Sequence, residues 1–332
     1  MNTGFFAQPN PPYRRANYPF AYQWLEKVAS LAALLAQVEA LRAADPGHRY
    51  LSTLDDIQQA SYTSGHASQD DRLSLASPPD MDWDDPAQEA AWELQALQHR
   101  ARQLRQVQSP QRWAEVCGSL ALSGSDIDAL LAANRCPDLL LDEVIYIQRL
   151  PLADADPLIA GQPNGYFSAD WDSFQNHAIH QHLGQQHGYQ LYAMGASWMA
   201  LARPQPPDAA QAQALVEDLR ALYASADEAL RAHPGWQALP AVLQTQRSLV
   251  LGWLYRRHGR PLGVNPSLNF CEGRKRNVVD LRRSPQARAP CGFAKCVQRN
   301  VSMQAARQFL HRPLGWGATI EPWQGNVAPS SS

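Results

Sequence analysis

The 332-residue chain is nearly neutral, with 29 Lys/Arg against 31 Asp/Glu, and 45% of it is hydrophobic, including ten tryptophans. That composition describes a globular protein long enough to bury about three quarters of its unfolded surface. It argues against overall attraction to nucleic acid or anionic lipid, and no run approaches the eighteen or so apolar residues that span a bilayer.

The charge is unevenly spread. Residues 265–332 hold ten Lys/Arg against three Asp/Glu, so the body is acidic and the tail basic. The N-terminus lacks a basic stretch followed by an apolar core, which predicts no secretory signal. Five cysteines, an odd number scattered at 117, 136, 271, 291 and 296, suggest no disulfide framework. A reducing cytoplasm is the expected location.

In chain order, an extended arm precedes Tyr18. Phe20, Trp24, Val28, Leu31, Leu35, Val38 and Leu41 then recur at steps of three and four, predicting one amphipathic helix that Asp45-Pro46-Gly47 stops. Ser61 to Asp85, rich in Ser, Asp, Gly and Pro, predicts a surface loop. Asp85 is placed to cap a helix reaching about Val107, with Pro86 at its first position. Helices are expected from Ser109-Pro110 to Val116 and from Ile127 to Ala133. Asp126 and Asp128 would repel phosphates at the start of the second, so the pair predicts a helical hairpin and not a DNA-reading motif. Val144-Ile145-Tyr146-Ile147 predicts a strand. Asp208 is expected to cap a helix through Arg231, and a further helix is expected from about Pro240 to His258. Together these elements predict an α+β protein: a mostly helical region over 1–135, a small sheet packed with helices over 136–264, and a basic, poorly ordered tail over 265–332.

The most informative stretch is Asp170 to Arg203, which holds four of the ten histidines. A helix is predicted from about Trp171 to His187, capped by Asp170 and ended by Gly188. A bent strand or hairpin follows, turning at Gly195-Ala196-Ser197. His177, His180 and His187 fall within about 80° of one another on this helix, whereas His182 faces the other way, toward Ile179 and Trp171. His177 and His180 are therefore the candidate metal ligands, with zinc the candidate ion and Asp170, Asp172 and Cys136 as possible completing ligands. The competing reading is a solvated helix face with His182 packed beneath the strand. Tyr166, Phe167, Trp171 and Trp198 are candidates to line a binding pocket beside the helix start.

The order of these features resembles an uncharacterised bacterial family, domain-of-unknown-function family 4253. The resemblance rests on a strand, an Asn-Gly loop, a helix carrying Asn176-His177-Ala178 and ending His187-Gly188-Tyr189, a strand, and then Arg203-Pro204 and Pro206-Pro207 before an alanine-rich helix. It covers residues 139–225, and the chain lacks the tryptophan-rich end expected after the last helix. Because the family has no assigned catalytic residues, the resemblance implies architecture and no chemistry.

Three functional readings follow. The first is a non-catalytic protein without a cofactor that binds another protein, a basic one by charge complementarity, as a toxin-neutralising immunity protein does. The second is a metal-assisted enzyme centred on the His177–His187 helix. The third is nucleic-acid binding through the 265–332 tail, in which Cys271, Cys291, Cys296 and His311 form a weak candidate metal knuckle.

Overall fold

The computed structural model describes residues 1–15, 18–106, 112–167, 170–223 and 227–253, together with the backbone of two short strands, Arg256–Arg257 and Arg260–Pro261. The described residues all belong to one compact unit, Met1–Arg276. The expected poor order of the 265–332 tail and its Cys/His knuckle lie outside the described residues.

Seven strands make one mixed sheet: β1 (Asn2–Phe5), β2 (Ala21–Glu26), β3 (Arg49–Thr53), β4 (Val144–Leu150), β5 (Gln190–Met194), β6 (Trp198–Ala202) and β7 (Ser248–Gly252). Their spatial order is β1-β2-β4-β3-β5-β6-β7. Neighbours are antiparallel except β3 and β5, which run parallel through Ser52↔Ala193 and Thr53↔Met194. All five residues of β7 and the first four of β6 are buried, so this side of the sheet is covered on both faces.

The α+β class is as expected, but the mostly helical description of residues 1–135 is corrected, because three of the seven strands lie there. Residues 20–26 show why. Ala21, Gln23 and Leu25 are buried while Tyr22, Trp24 and Glu26 are half-buried, the period-2 pattern of a strand. Lys27 then takes a left-handed φ of 53°, which no helix tolerates. Only after Ser30, whose Oγ accepts from the Ala33 N–H at 3.1 Å, does helix α1 (Leu31–Ala44) begin. One apolar spacing thus spans a strand and a helix.

Helix α2 (Ile57–Ala67) occupies the first part of the expected Ser61–Asp85 loop, burying small residues such as Ala60, Thr63 and Ser64. The cap at Asp85 is as anticipated: its carboxylate accepts from the Ala87 N–H at 2.9 Å and helix α3 runs Pro86–Arg105. A single turn, α4 (Trp113–Val116), is followed by α5 (Gly124–Arg135), whose Ser123–Asp126 capping box fixes its start. α5 buries Ile127, Leu130 and Asn134. Its Asn134 amide donates to the Val250 carbonyl and accepts from the Val250 N–H, both at 2.9 Å, which ties α5 to β7.

Helix α6 (Ser173–His187) has Asp172 and not Asp170 at its cap; Asp172 Oδ1 accepts from Phe174 N and Gln175 N at 2.9 and 2.8 Å. It ends at Gly188 with φ 72°, as the sequence indicates. β5 and β6 form the anticipated hairpin. Asp208 caps α7 (Ala209–Leu222), after which come a single turn α8 (Glu228–Arg231) and α9 (Pro234–Leu243). The expected helix from Pro240 to His258 is replaced by the end of α9 and the edge strand β7. Leu249-Val250-Leu251 is a short, fully buried apolar run, and such runs carry no periodicity that separates helix from strand. Among the described residues no helix is long and apolar enough to cross a membrane.

Candidate functional site

The histidines of α6 divide into two pairs with different surroundings. His177 is fully buried, with Nε2 3.3 Å from Asp156 Oδ2. That contact, reinforced by Gln181 and Arg105, holds the Asp156 carboxyl well below the usual range against the opposing effect of burial. His180 is also buried, with Nε2 3.2 Å from Met199 Sδ, and burial followed by the adjacent His177 pushes its pKa down to about 3. The expectation of a solvated face carrying His177 and His180 is therefore corrected. Helix angle alone leaves open which face a neighbouring sheet covers, and here β6 and the 154–161 segment cover this one.

His182 and His187 instead meet on α7. His182 Nε2 lies 2.6 Å and His187 Nε2 2.8 Å from the same oxygen, Asp218 Oδ2. The His182 ring stacks on Trp113 with centroids 3.8 Å apart and planes 4° from parallel. It is thus not packed with Ile179 and Trp171 under the strand. Burial pushes the Asp218 carboxyl up, but the hydrogen bonds from His182 and His187 outweigh it and leave the group below its ordinary range. Among the described residues, His182, His187 and Asp218 are the group of three whose ligand atoms lie mutually within 4.8 Å. His177 and His180 belong to no such group.

The four proposed pocket aromatics differ in exposure. Tyr166 and Phe167 are 46% and 38% exposed, whereas Trp171 and Trp198 are each only 1% exposed. Trp171 packs against Tyr223 with ring centroids 5.1 Å apart. Tyr166 stacks on His66 at 4.5 Å and meets Tyr62, itself exposed, at 6.1 Å, forming an aromatic patch on α2.

On the same helix, one turn earlier, a cleft opens. Its volume is about 810 Å³, and Ile57, Gln58 and Ser61 of α2 form one wall. Tyr13, Tyr18, Tyr146 and Trp198 supply aromatic surface, while Asp55, Asp56, Asp142 and Glu143 bring four carboxyl groups, and among the described residues no lysine, arginine or histidine lines the cleft. The architecture explains this concentration: Asp55 and Asp56 follow the C-terminal end of β3, and Asp142 and Glu143 precede the adjacent antiparallel β4. Asp142 Oδ2 accepts from the Ile57 N–H at 2.8 Å and Asp56, at a left-handed φ of 36°, caps α2 by accepting from Gln59 N at 3.0 Å. The backbone strain at Asp56 is thus held in place by the helix it starts.

Asp55 is the unusual member. Its Oδ2 accepts from the Ser197 N–H at 3.1 Å, while its Oδ1 is shut off from solvent without a hydrogen-bond partner. Burial raises its carboxyl pKa to about 7, against the opposing pull of the Ser197 N–H. Gly195 makes room for it, because a Cβ there would lie 1.8 Å from Asp55 Oδ1. Sequence reasoning passed over this residue. An aspartate two residues past the end of a buried strand is the signal that would have found it.

The sign of the Asp55 effect is open to measurement. Between pH about 4 and about 7 the unfolded chain has lost this proton and the folded chain keeps it, so the group's contribution to stability is complete below pH 4 and is lost as pH rises through 7. The loss is at most about 4 kcal/mol at 1.36 kcal/mol per pKa unit. Asp55→Asn is expected to flatten the fall in melting temperature over that window; parallel pH profiles of parent and variant would show an ordinary carboxylate.

No family model, curated protein or solved structure matches this chain.

Proposed function

We propose that the chain binds another protein in the cytoplasm, and that it does so by taking a basic segment of that partner into the α2 cleft. The observation that carries this reading is the gathering of four acidic residues among tyrosines in a concave site of about 810 Å³, with no positively charged side chain among the described residues that line it. A guanidinium or ammonium group finds there both charge and aromatic faces, the pairing that favours arginine and lysine side chains. The exposed Tyr62 of α2 meets Tyr166, which meets Phe167, and such rigid aromatic rings add contact area at small entropic cost. In this reading the protein acts by occupancy and needs no cofactor, which is also how a toxin-neutralising immunity protein acts. The resemblance of residues 139–225 to domain-of-unknown-function family 4253 adds no chemistry to it.

Positive charge added at the rim tests this reading. Gln58 and Glu143 are exposed lining residues, so Gln58→Lys/Glu143→Lys changes the field without disturbing the core. Arginine-rich peptides are expected to bind the parent in a salt-sensitive manner, and the double variant at least about tenfold more weakly with a shallower salt dependence. Equal anisotropy titrations for parent and variant would overturn the assignment of the cleft.

A further inference from the structure

We propose that His182, His187 and Asp218 form a binding site for a divalent transition-metal ion of the zinc class, separate from the α2 cleft. Three independent features of the geometry support it.

The first is convergence. His182 and His187 stand five residues apart on α6, about 140° around the helix, and do not face each other as helical neighbours. They meet because α7 places Asp218 between them, and because His187 is the last residue before the left-handed turn at Gly188. Both rings present the same atom, Nε2, to one carboxylate oxygen at 2.6 and 2.8 Å. In tetrahedral zinc coordination, with bonds of about 2.0–2.1 Å, neighbouring ligand atoms sit about 3.3 Å apart. The two histidine–carboxylate separations would each open by roughly half an ångström to reach that spacing, and all three ligand atoms already lie within 4.8 Å of one another.

The second is chemistry. Two imidazoles and one carboxylate are the donor set borderline divalent ions take, and three protein ligands leave a fourth position for water or a further donor. The exchange balances without a redox partner. In the ion-free form each neutral ring carries its proton on Nε2 and donates it to Asp218; with the ion bound, each ring carries it on Nδ1 and offers the Nε2 lone pair. The carboxylate is already ionised.

The third is support and access. The Trp113 ring, parallel to that of His182, fixes the plane of one ligand before any ion arrives. Side-chain exposures of 18%, 8% and 32% for His182, His187 and Asp218 leave a route from solvent while partly drying the site.

The test uses the full chain with Cys136, Cys271, Cys291 and Cys296 replaced by serine, so that these cysteines contribute no metal signal. After chelator treatment, cobalt(II) chloride is titrated while the visible d–d bands are recorded, and zinc chloride is titrated by calorimetry. One equivalent of cobalt with the intense bands of low-symmetry four-coordination is expected. His187→Gln and Asp218→Asn are each expected to weaken binding at least tenfold, while His180→Gln leaves it unchanged. Zinc is also expected to raise the melting temperature of the parent and of neither weakened variant. Absence of cobalt bands in the parent would overturn the proposal whatever the variants do, as would undiminished binding by a folded Asp218→Asn chain.

Discussion

Leu35→Asp in α1 is expected to lower the melting temperature by about 10 °C or more, or to prevent folding altogether. Leu35 is buried in the main apolar cluster together with Leu31, Leu34 and Val38 of the same helix. An aspartate there loses the packing of a leucine and must either hold an unpaired charge in an apolar surround or take up a proton. The cost is several kcal/mol, comparable with the whole stability of a folded domain. Ala36→Asp, one residue on and exposed, is the matching control and should move the transition by little. Should Leu35→Asp melt within a degree or two of the parent, α1 does not pack as described.

The second large effect is expected at Gly165. This residue has φ +92°, and a Cβ added there would stand 1.9 Å from the Trp171 carbonyl oxygen and 2.6 Å from the Asp172 Cα. Both obstacles are backbone, so no rotamer change relieves them. Gly165→Ala must displace the connection that carries the Asp172 cap, and with it the Asn164 amide that donates to the Gly195 carbonyl at 2.7 Å. A loss of about 3 kcal/mol follows from strain and clash together. Gly188 separates the two contributions, since it has φ +72° with nothing within 4 Å of an added Cβ. Gly188→Ala should therefore cost only the left-handed backbone strain, about 1 kcal/mol. Equal chemical-denaturation midpoints for the two variants would refute the clash at Gly165.

What the sequence discloses depends on how local the cause is. The Asp85, Asp208 and Gly188 boundaries were legible because a cap is decided by side chains within a few residues of it. The turn at Gly195-Ala196-Ser197 was legible for a similar reason. The division between β2 and α1 was not, since Phe20, Trp24 and Val28 satisfy a helical spacing and only the backbone at Lys27 breaks it. β7 was misread because Leu249-Val250-Leu251 is apolar at every position.

The candidate sites show the same limit more strongly. A helical projection relates His182 to its own helix, whereas its partners Asp218 and Trp113 lie 36 and 69 positions away in the chain. The exposure of the proposed pocket residues was not legible either: Tyr166 and Phe167 stand at the surface while Trp171 and Trp198 are buried. The acidic cleft draws on the segments before and after two strands that only the sheet order makes neighbours.

The bond pair between Asn134 and Val250 has a consequence for self-association. β7 is the last strand of the sheet, and an outermost strand offers main-chain donors and acceptors that a second molecule can extend into a longer sheet. At the centre of β7 both outward groups are already taken, because one carboxamide fills the place that a peptide unit of an added strand would occupy. Growth of the sheet across this border would require α5 to withdraw a buried amide from its partners. The helix therefore acts as a stopper, and the border at Val250 is closed to strand addition without the exposed charges or prolines that guard edges elsewhere.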